Sequence, residues 1–400
     1  MNKPLMPVED ALAQLLKLAE SAPIVETEQV ALAQAEGRVL AEALIASLDL
    51  PPWPNSAMDG YALRLADWQG EALPVSQRIF AGHAPEPLQP GTCARIFTGA
   101  PLPLGADCVE MQENAEVLQD QRVRFNEPLR VGQNVRPQGQ ETRVGESVLA
   151  AGTRLGPIEL GLAATLGCAT LRVVRRVKVA VLSTGDELVE PGLPLGPGQI
   201  YNSNRRLLVS WLQRLGCEVI DAGILADDLE KTRDCLAGLG QVDLILSTGG
   251  VSVGEADYLG LALREAGELA LWKLAIKPGK PLTFGHYKGV PVIGLPGNPA
   301  STLVTFGLLT RPYLLRRQGV QEVTPLQFPV PAGFDWPKAG NRREYLRARL
   351  DQGCAQIYKN QSSGVLRSAA WAEGLVEVRE GTTPGKGDTV QFIPLSELLG

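Results

Sequence analysis

Three short segments carry the residue types of a polyanion site. Ser183-Thr-Gly-Asp-Glu, Ser247-Thr-Gly-Gly-Val-Ser-Val-Gly and Leu295-Pro-Gly-Asn-Pro-Ala-Ser each follow an apolar, strand-like run. In the second, Gly249 and Gly250 let backbone N–H groups approach a ligand, and the hydroxyls of Ser247, Thr248 and Ser252 can donate to phosphate oxygens. The segment lacks the G-x-x-x-x-G-K-[ST] pattern, which argues against P-loop chemistry. A glycine-rich turn without a ligand accounts for this loop, taken alone, equally well. Thr184 and Asp186 in the first loop, and Pro296, Gly297, Asn298 and Pro299 in the third, are candidates for contacts with the same ligand.

Acids and lysines surround these loops. Asp186, Glu187, Asp227, Asp228, Glu255 and Asp257 fall at or after predicted strand ends. Any one of them reads best as a solvated loop residue or helix cap. Together, beside a phosphate cradle, they suit Mg²⁺ held through oxygens. Lys273-Leu-Ala-Ile-Lys-Pro-Gly-Lys-Pro sets three ammonium groups, on Lys273, Lys277 and Lys280, in a segment restrained by Pro278 and Pro281. That suits a phosphate or an inorganic oxyanion. With only two histidines, His83 and His286, a His-rich metal centre is not expected.

The elements that must hold these loops follow from the apolar pattern. The opening Val8-Glu-Asp-Ala-Leu-Ala-Gln-Leu-Leu has helical spacing, and a second helix is predicted over Leu32 to Ala46. From about 52 to 145, short apolar runs separated by Gly and Pro predict a small β insert within an N-terminal helical and linker region spanning 1–170. Within it, Pro54-Asn-Ser-Ala-Met-Asp-Gly-Tyr and Ile96-Phe-Thr-Gly-Ala-Pro are, taken singly, ordinary turns. Over 176–318, strands alternate with helices, closing on a long helix from Ala300 to Gln318. That pattern predicts a doubly wound, mostly parallel α/β sheet. Residues 325–400 begin linker-like and continue as a β domain. In an open parallel sheet ligands bind beyond the carboxyl ends of the strands, where all three loops fall.

Composition narrows the class. The 400 residues hold 38 basic and 44 acidic side chains, a net charge of −6, with 44% hydrophobic. This is a multidomain globular composition without the basic excess of a nucleic-acid binder. Six cysteines lie scattered with no C-x-x-C pair, as expected of reduced, buried thiols. The start lacks an apolar leader, and Pro291, Gly294, Pro296, Gly297 and Pro299 interrupt the uncharged stretch from Gly289 to Thr310. A cytoplasmic location without membrane contact is expected.

Six strings then occur in order: Ser56-Ala-Met-Asp-Gly-Tyr-Ala, Thr98-Gly-Ala-Pro, Ser183-Thr-Gly-Asp-Glu-Leu, Ser247-Thr-Gly-Gly-Val-Ser-Val-Gly-Glu-Ala-Asp-Tyr, Lys277-Pro-Gly-Lys-Pro and Leu295-Pro-Gly-Asn-Pro. Together they resemble the MoeA family, the molybdopterin molybdenumtransferases related to the gephyrin E domain, over almost the whole chain. The resemblance implies a MogA-like α/β domain with a β-barrel-like C-terminal domain. It implies that molybdate is inserted into adenylylated molybdopterin and that the adenylate is hydrolysed with Mg²⁺, releasing AMP and cofactor.

By position, it makes Glu187, Asp227 and Asp257 the functional acids and metal ligands, Lys273 and Lys277 the functional lysines, and Pro296 and Pro299 the rigid loop prolines. Arg347 and Ser368 match in the C-terminal domain. Asp59 and Thr98 are implied to reach the partner's cleft across a homodimer. Where the family commonly reads Arg-x-x-Gly-Glu-Asp, this chain has Gln140 and Glu141, so the carboxylate at Glu141 sits one methylene further out. Other functions implied by relatives are a molybdopterin adenylyltransferase of MogA type and a non-catalytic dimeric scaffold of gephyrin E type. A MogA-type adenylyltransferase and cofactor-receiving enzymes are the implied partners.

Overall fold

The computed structural model describes residues 5–249, 258–266 and 269–399. Two compact units emerge: residues 42–150 with 158–169 form one, and the rest of the described chain forms the other.

The larger unit is built on a six-stranded sheet. Its strands are β1 (Lys178–Thr184), β2 (Glu218–Leu225), β3 (Leu244–Thr248), β4 (Leu269–Lys273), β5 (Pro281–Tyr287) and β6 (Val290–Leu295), in the order β2-β1-β3-β6-β5-β4. The pairs β1–β2, β1–β3 and β3–β6 are parallel, whereas β6–β5 and β5–β4 are antiparallel. The side-chain period of two divides β1 between two cores. Val179 and Val181 pack with α1 (Val8–Ser21) and α2 (Ser203–Arg214). Ala180 and Leu182 pack with α3 (Leu229–Gly238) and α4 (Tyr258–Ala266). The sheet is thus covered on both faces, as the strand–helix alternation predicts.

Two predicted helices change form. The run Leu32 to Ala46 is not a helix: it holds a 3₁₀ turn at Leu32–Gln34 and a strand at Leu44–Ile45. Gly37 stands at φ +72 there, and its N–H donates to the Leu155 carbonyl, which takes the chain out of helical bonding. The last helix keeps nearly its predicted extent but carries a π turn in its middle. It runs as α5 (Pro299–Thr305), a π turn at Phe306–Thr310 and α6 (Arg311–Arg317). Pro312 supplies no N–H to the turn before it. Gly307 lies so close to Leu398 that a Cβ would come within 2.9 Å of the leucine's own Cβ.

The C-terminal sheet of the same unit contains β7 (Phe328–Pro331), β8 (Arg343–Asp351), β9 (Cys354–Ile357), β10 (Gly374–Val378) and β11 (Thr389–Pro394). Its order is β8-β10-β11-β7, with β9 against β8, and a bridge between Ala332 and Ala355 brings the far edge round to β9. This is the closure of a barrel-like sheet. The strand Ile276–Lys277, from the segment between β4 and β5, pairs parallel with the start of β8.

The smaller unit is a six-stranded sheet ordered Cys108–Met111, Gly60–Leu63, Cys93–Ile96, Leu73–Ile79, Arg122–Phe125 and Ala115–Val117. All six cysteines are free, and burial pushes the Cys93, Cys108 and Cys217 thiols up to about 12. They are inert packing groups. No helix among the described residues is long and apolar enough to cross a membrane.

Candidate active site

Strand register assembles the site. Ser183 lies opposite Thr248, and Thr248 opposite Leu295, so the ends of β1, β3 and β6 release their loops at one edge of the sheet. Gly249 follows at φ +80, where a Cβ would stand 2.7 Å from the Thr184 carbonyl oxygen; only glycine fits there. Ser183 Oγ lies 3.2 Å from Thr248 Oγ1 beneath it. From the third loop, the Pro296 carbonyl accepts from Thr302 Oγ1 at 2.7 Å and the Gly297 carbonyl from Asn204 Nδ2 at 2.6 Å. These bonds fix the loop's backbone.

Two cavities open at this edge, sharing Gly249, Gly297 and Asn298 in their walls. The first, of 410 Å³, is lined by Thr184, Glu187, Asn202, Asn204, Thr248 and Pro299, with Leu188, Ile200 and Tyr201 as an apolar side. Among the described residues, Thr184 Oγ1, Asn202 Nδ2 and Asn204 Oδ1 in its lining find no hydrogen-bond partner. All three residues are buried, so each unmade bond is a desolvation cost that a polar ligand would relieve. The second cavity, of 520 Å³, is lined by Lys277, Lys280 and Arg342, with Ser301, Gln361 and Ser362. Three cations and several hydroxyl or amide groups make a wall for an anion.

The predicted residues separate into groups. Thr184, Glu187, Thr248, Gly249, Pro296, Gly297, Asn298, Pro299, Lys277 and Lys280 all line one or both cavities. Ser247 is buried within the sheet and lines neither, and its Oγ finds no hydrogen-bond partner among the described residues. Lys273 closes β4 opposite Pro281, which lines the second cavity, while Lys273 itself lines neither. Asp186 Oδ1 accepts the Asp227 N–H at 3.1 Å, joining the two acidic loops beside the cavities rather than in them. Gly250, Ser252, Glu255 and Asp257 lie outside the described residues.

Arg347 and Ser368 do not reach a cavity wall. Both are fully buried, with Arg347 Nε donating to Ser368 Oγ at 3.0 Å and Nη2 to the Ser362 carbonyl at 3.1 Å. The arginine thereby supports the Ser362 wall from behind. Burial pulls its guanidinium down to about 10, and its Nη1 has no hydrogen-bond partner among the described residues. Among the described residues, no three His, Cys, Asp or Glu side chains come together as a metal site.

In the smaller unit, Asp59 Oδ1 accepts both the N–H and the hydroxyl of Thr98, at 2.8 and 2.7 Å. The backbone bond, then the hydroxyl bond, hold the Asp59 carboxyl below its ordinary range. Glu141 is exposed there, its N–H donating to the Leu50 carbonyl.

The sequence reading misses Asn202, Asn204, Arg342 and the 361–363 segment. Asn202 had a signal: an Asn before a helical run is a common cap, and its side chain does accept the Arg205 N–H. The others are brought in by tertiary packing alone.

Family models match along the chain: "MoeA N-terminal region (domain I and II)" over residues 6–167, "Probable molybdopterin binding domain" over 180–316 and "MoeA C-terminal region (domain IV)" over 329–395. Over 395 residues the chain is 40% identical to the molybdopterin molybdenumtransferase of Haemophilus influenzae, covering 96% of this chain and 98% of that one. The chain belongs to the MoeA family. The MoeA-family protein of a Nostoc species, also named molybdopterin molybdenumtransferase, is 36% identical over 391 residues, 92% of this chain and 89% of that one. Among solved MoeA structures, the molybdopterin biosynthesis MoeA protein of Pyrococcus horikoshii superposes with a TM-score of 0.83 at 29% identity, covering 98% of this chain and all of that one. The two cavities therefore belong to a MoeA-type chain matched from end to end.

Proposed function

We propose that this protein inserts molybdenum into molybdopterin, the activity named in its full-length relatives. The carrying observation is the adjacency of the two cavities. One offers buried hydroxyl and amide groups with no partner among the described residues; the other offers Lys277, Lys280 and Arg342; and Gly249, Gly297 and Asn298 are common to both. A nucleotide-tagged pterin needs the first kind of wall and a metal oxyanion the second, and insertion requires the two side by side.

In this reading Thr184, Asn202, Asn204 and Thr248 bind the phosphates of adenylylated molybdopterin, and Gly249 allows the backbone to approach them. Lys277, Lys280 and Arg342 hold molybdate beside the pterin sulfurs. Arg347, through Ser362, keeps the second wall in place. Water cleaves the phosphoanhydride, giving AMP and the loaded cofactor, while Glu187 is the acid among the described residues that lines this cavity.

Magnesium, the metal this reading pairs with a pyrophosphate, has oxygen donors of the right kind in Glu187 and Asp227. The third proposed ligand, Asp257, lies outside the described residues, and the described carboxylates alone do not complete a site. We further propose a homodimer in which Asp59 and Thr98 of one chain serve the partner's cleft. A MogA-type adenylyltransferase would supply the substrate, and molybdoenzymes would take up the product.

The deciding experiment mixes the protein with purified adenylylated molybdopterin, with and without molybdate, and measures AMP and reconstitution of a cofactor-free molybdoenzyme. Both should appear only when molybdate is present. ATP consumption with unmodified molybdopterin would instead identify an adenylyltransferase, and the absence of either reaction would identify a scaffold.

A further inference from the structure

Lys277 is held from behind by a carboxylate that the reading above does not use. Glu344 is 5% exposed, and its Oε2 lies 3.0 Å from Lys277 Nζ. The Lys277 side chain is half exposed and lines the second cavity. Strand register brings the two together: Ile276 pairs with Arg343 and Lys277 with Glu344 where the short strand joins the C-terminal sheet. Apart from this ion pair, Glu344 Oε2 has no hydrogen-bond partner among the described residues. A buried carboxylate is therefore spent on one cavity cation, leaving Lys280 and Arg342 without that compensation.

We propose that Glu344 sets the anion affinity of this cavity, offsetting the charge of Lys277 so that a dianion is bound loosely enough to be passed on. This rests on the reading of the cavity as an oxyanion site. An anion seated on the far side of Lys277 lies roughly 6 Å from the carboxylate, near enough for repulsion to matter at the effective dielectric of a protein surface. The repulsion scales with the anion's charge. Glu344→Gln keeps shape and removes charge, so it should tighten molybdate binding by about tenfold. Binding of the tetrahedral monoanion perrhenate should tighten by only about threefold, half the effect in free energy. At saturating molybdate, kcat should fall together with KM, because the anion is held too well. Loss of packing would not sort anions by charge.

The test is calorimetric titration of the full chain with molybdate and with perrhenate, for the wild type, Glu344→Gln, Glu344→Asp and Lys277→Met. Glu344→Asp retains the charge and should preserve the wild-type ratio of the two affinities. That variant carries the test if the Gln protein does not fold. The proposal is overturned if Glu344→Gln leaves molybdate binding unchanged or weaker, if both anions gain equally, or if Glu344→Asp alters the ratio. If the wild type binds no molybdate and Lys277→Met changes nothing, the oxyanion reading fails first and Glu344 loses its role with it. If Lys277→Met weakens molybdate while Glu344→Gln has no effect, the cavity reading stands and only the Glu344 assignment falls.

Discussion

The α-carbon of Gly249 faces the carbonyl oxygen of Thr184 so closely that a methyl group there would lie 2.7 Å from it. This approach joins the loops after β1 and β3 at the common wall of the two cavities. Gly249→Ala adds a clash to a left-handed backbone that alone costs an L-residue roughly 1–2 kcal/mol. Its expected outcome is a lower denaturation midpoint together with loss of cofactor formation. Denaturant unfolding and the AMP assay check it, and an unchanged midpoint with full activity would contradict the geometry.

Thr184→Val should separate stability from binding. The hydroxyl has no hydrogen-bond partner among the described residues, so replacing it with a methyl group of the same shape should leave stability equal or slightly higher. Affinity for AMP or adenylylated molybdopterin should drop about tenfold, the worth of about 1.4 kcal/mol. Parallel thermal melts with and without AMP make the comparison. Equal affinity in the variant would remove Thr184 from the nucleotide cavity.

Lys277→Met should raise the molybdate concentration needed for half-maximal cofactor formation, by about tenfold if its charge contacts the anion directly. Nucleotide affinity should not move. Should AMP binding weaken instead, the lysine belongs to the phosphates.

Asp59 gives both a pH and a complementation prediction. Its folded carboxyl titrates below the ordinary value, so the Thr98 bonds add stability that is complete above the unfolded carboxyl's pKa. That contribution is lost as pH falls through the lower folded value, in the acid range beneath the usual aspartate titration. Asp59→Ala should abolish this acid dependence, as seen by melting between neutral and acid pH. Mixed with Lys277→Met chains, Asp59→Ala chains should recover part of the activity if each cleft draws on two subunits. No recovery in verified heterodimers would assign each site to a single chain.

Much of the α/β scaffold was legible because its strands are compact β-branched runs that end in Thr-Gly or Pro-Gly turns. Those turns gave Thr184, Thr248, Gly249, Pro296 and Asn298 directly. Arg342 and Ser362 were not legible, since only the folding of the C-terminal sheet beside the α/β sheet brings them to the cavity. The surroundings of Lys273 were hidden for a related reason: Lys273 to Pro281 reads as one basic loop, yet its start closes β4 and its middle pairs with β8. The burial of Arg347 and Ser368 was not legible either, because sequence alone does not say which of two neighbouring side chains faces inward. The Leu32 to Ala46 run had helical spacing that Gly37 and the pairing of Thr27–Ala31 with Thr170–Val174 overrode.

The short strand Ile276–Lys277 is drawn from the stretch that also supplies β4 and β5, yet its hydrogen bonds are made with β8. A boundary drawn at any residue between β6 and β7 would sever that seam. It would strip the C-terminal sheet of its first strand, leave a raw edge on β8, and part Lys277 from Glu344. Cutting the chain there should therefore unsettle both sheets at once, however distinct they look as modules.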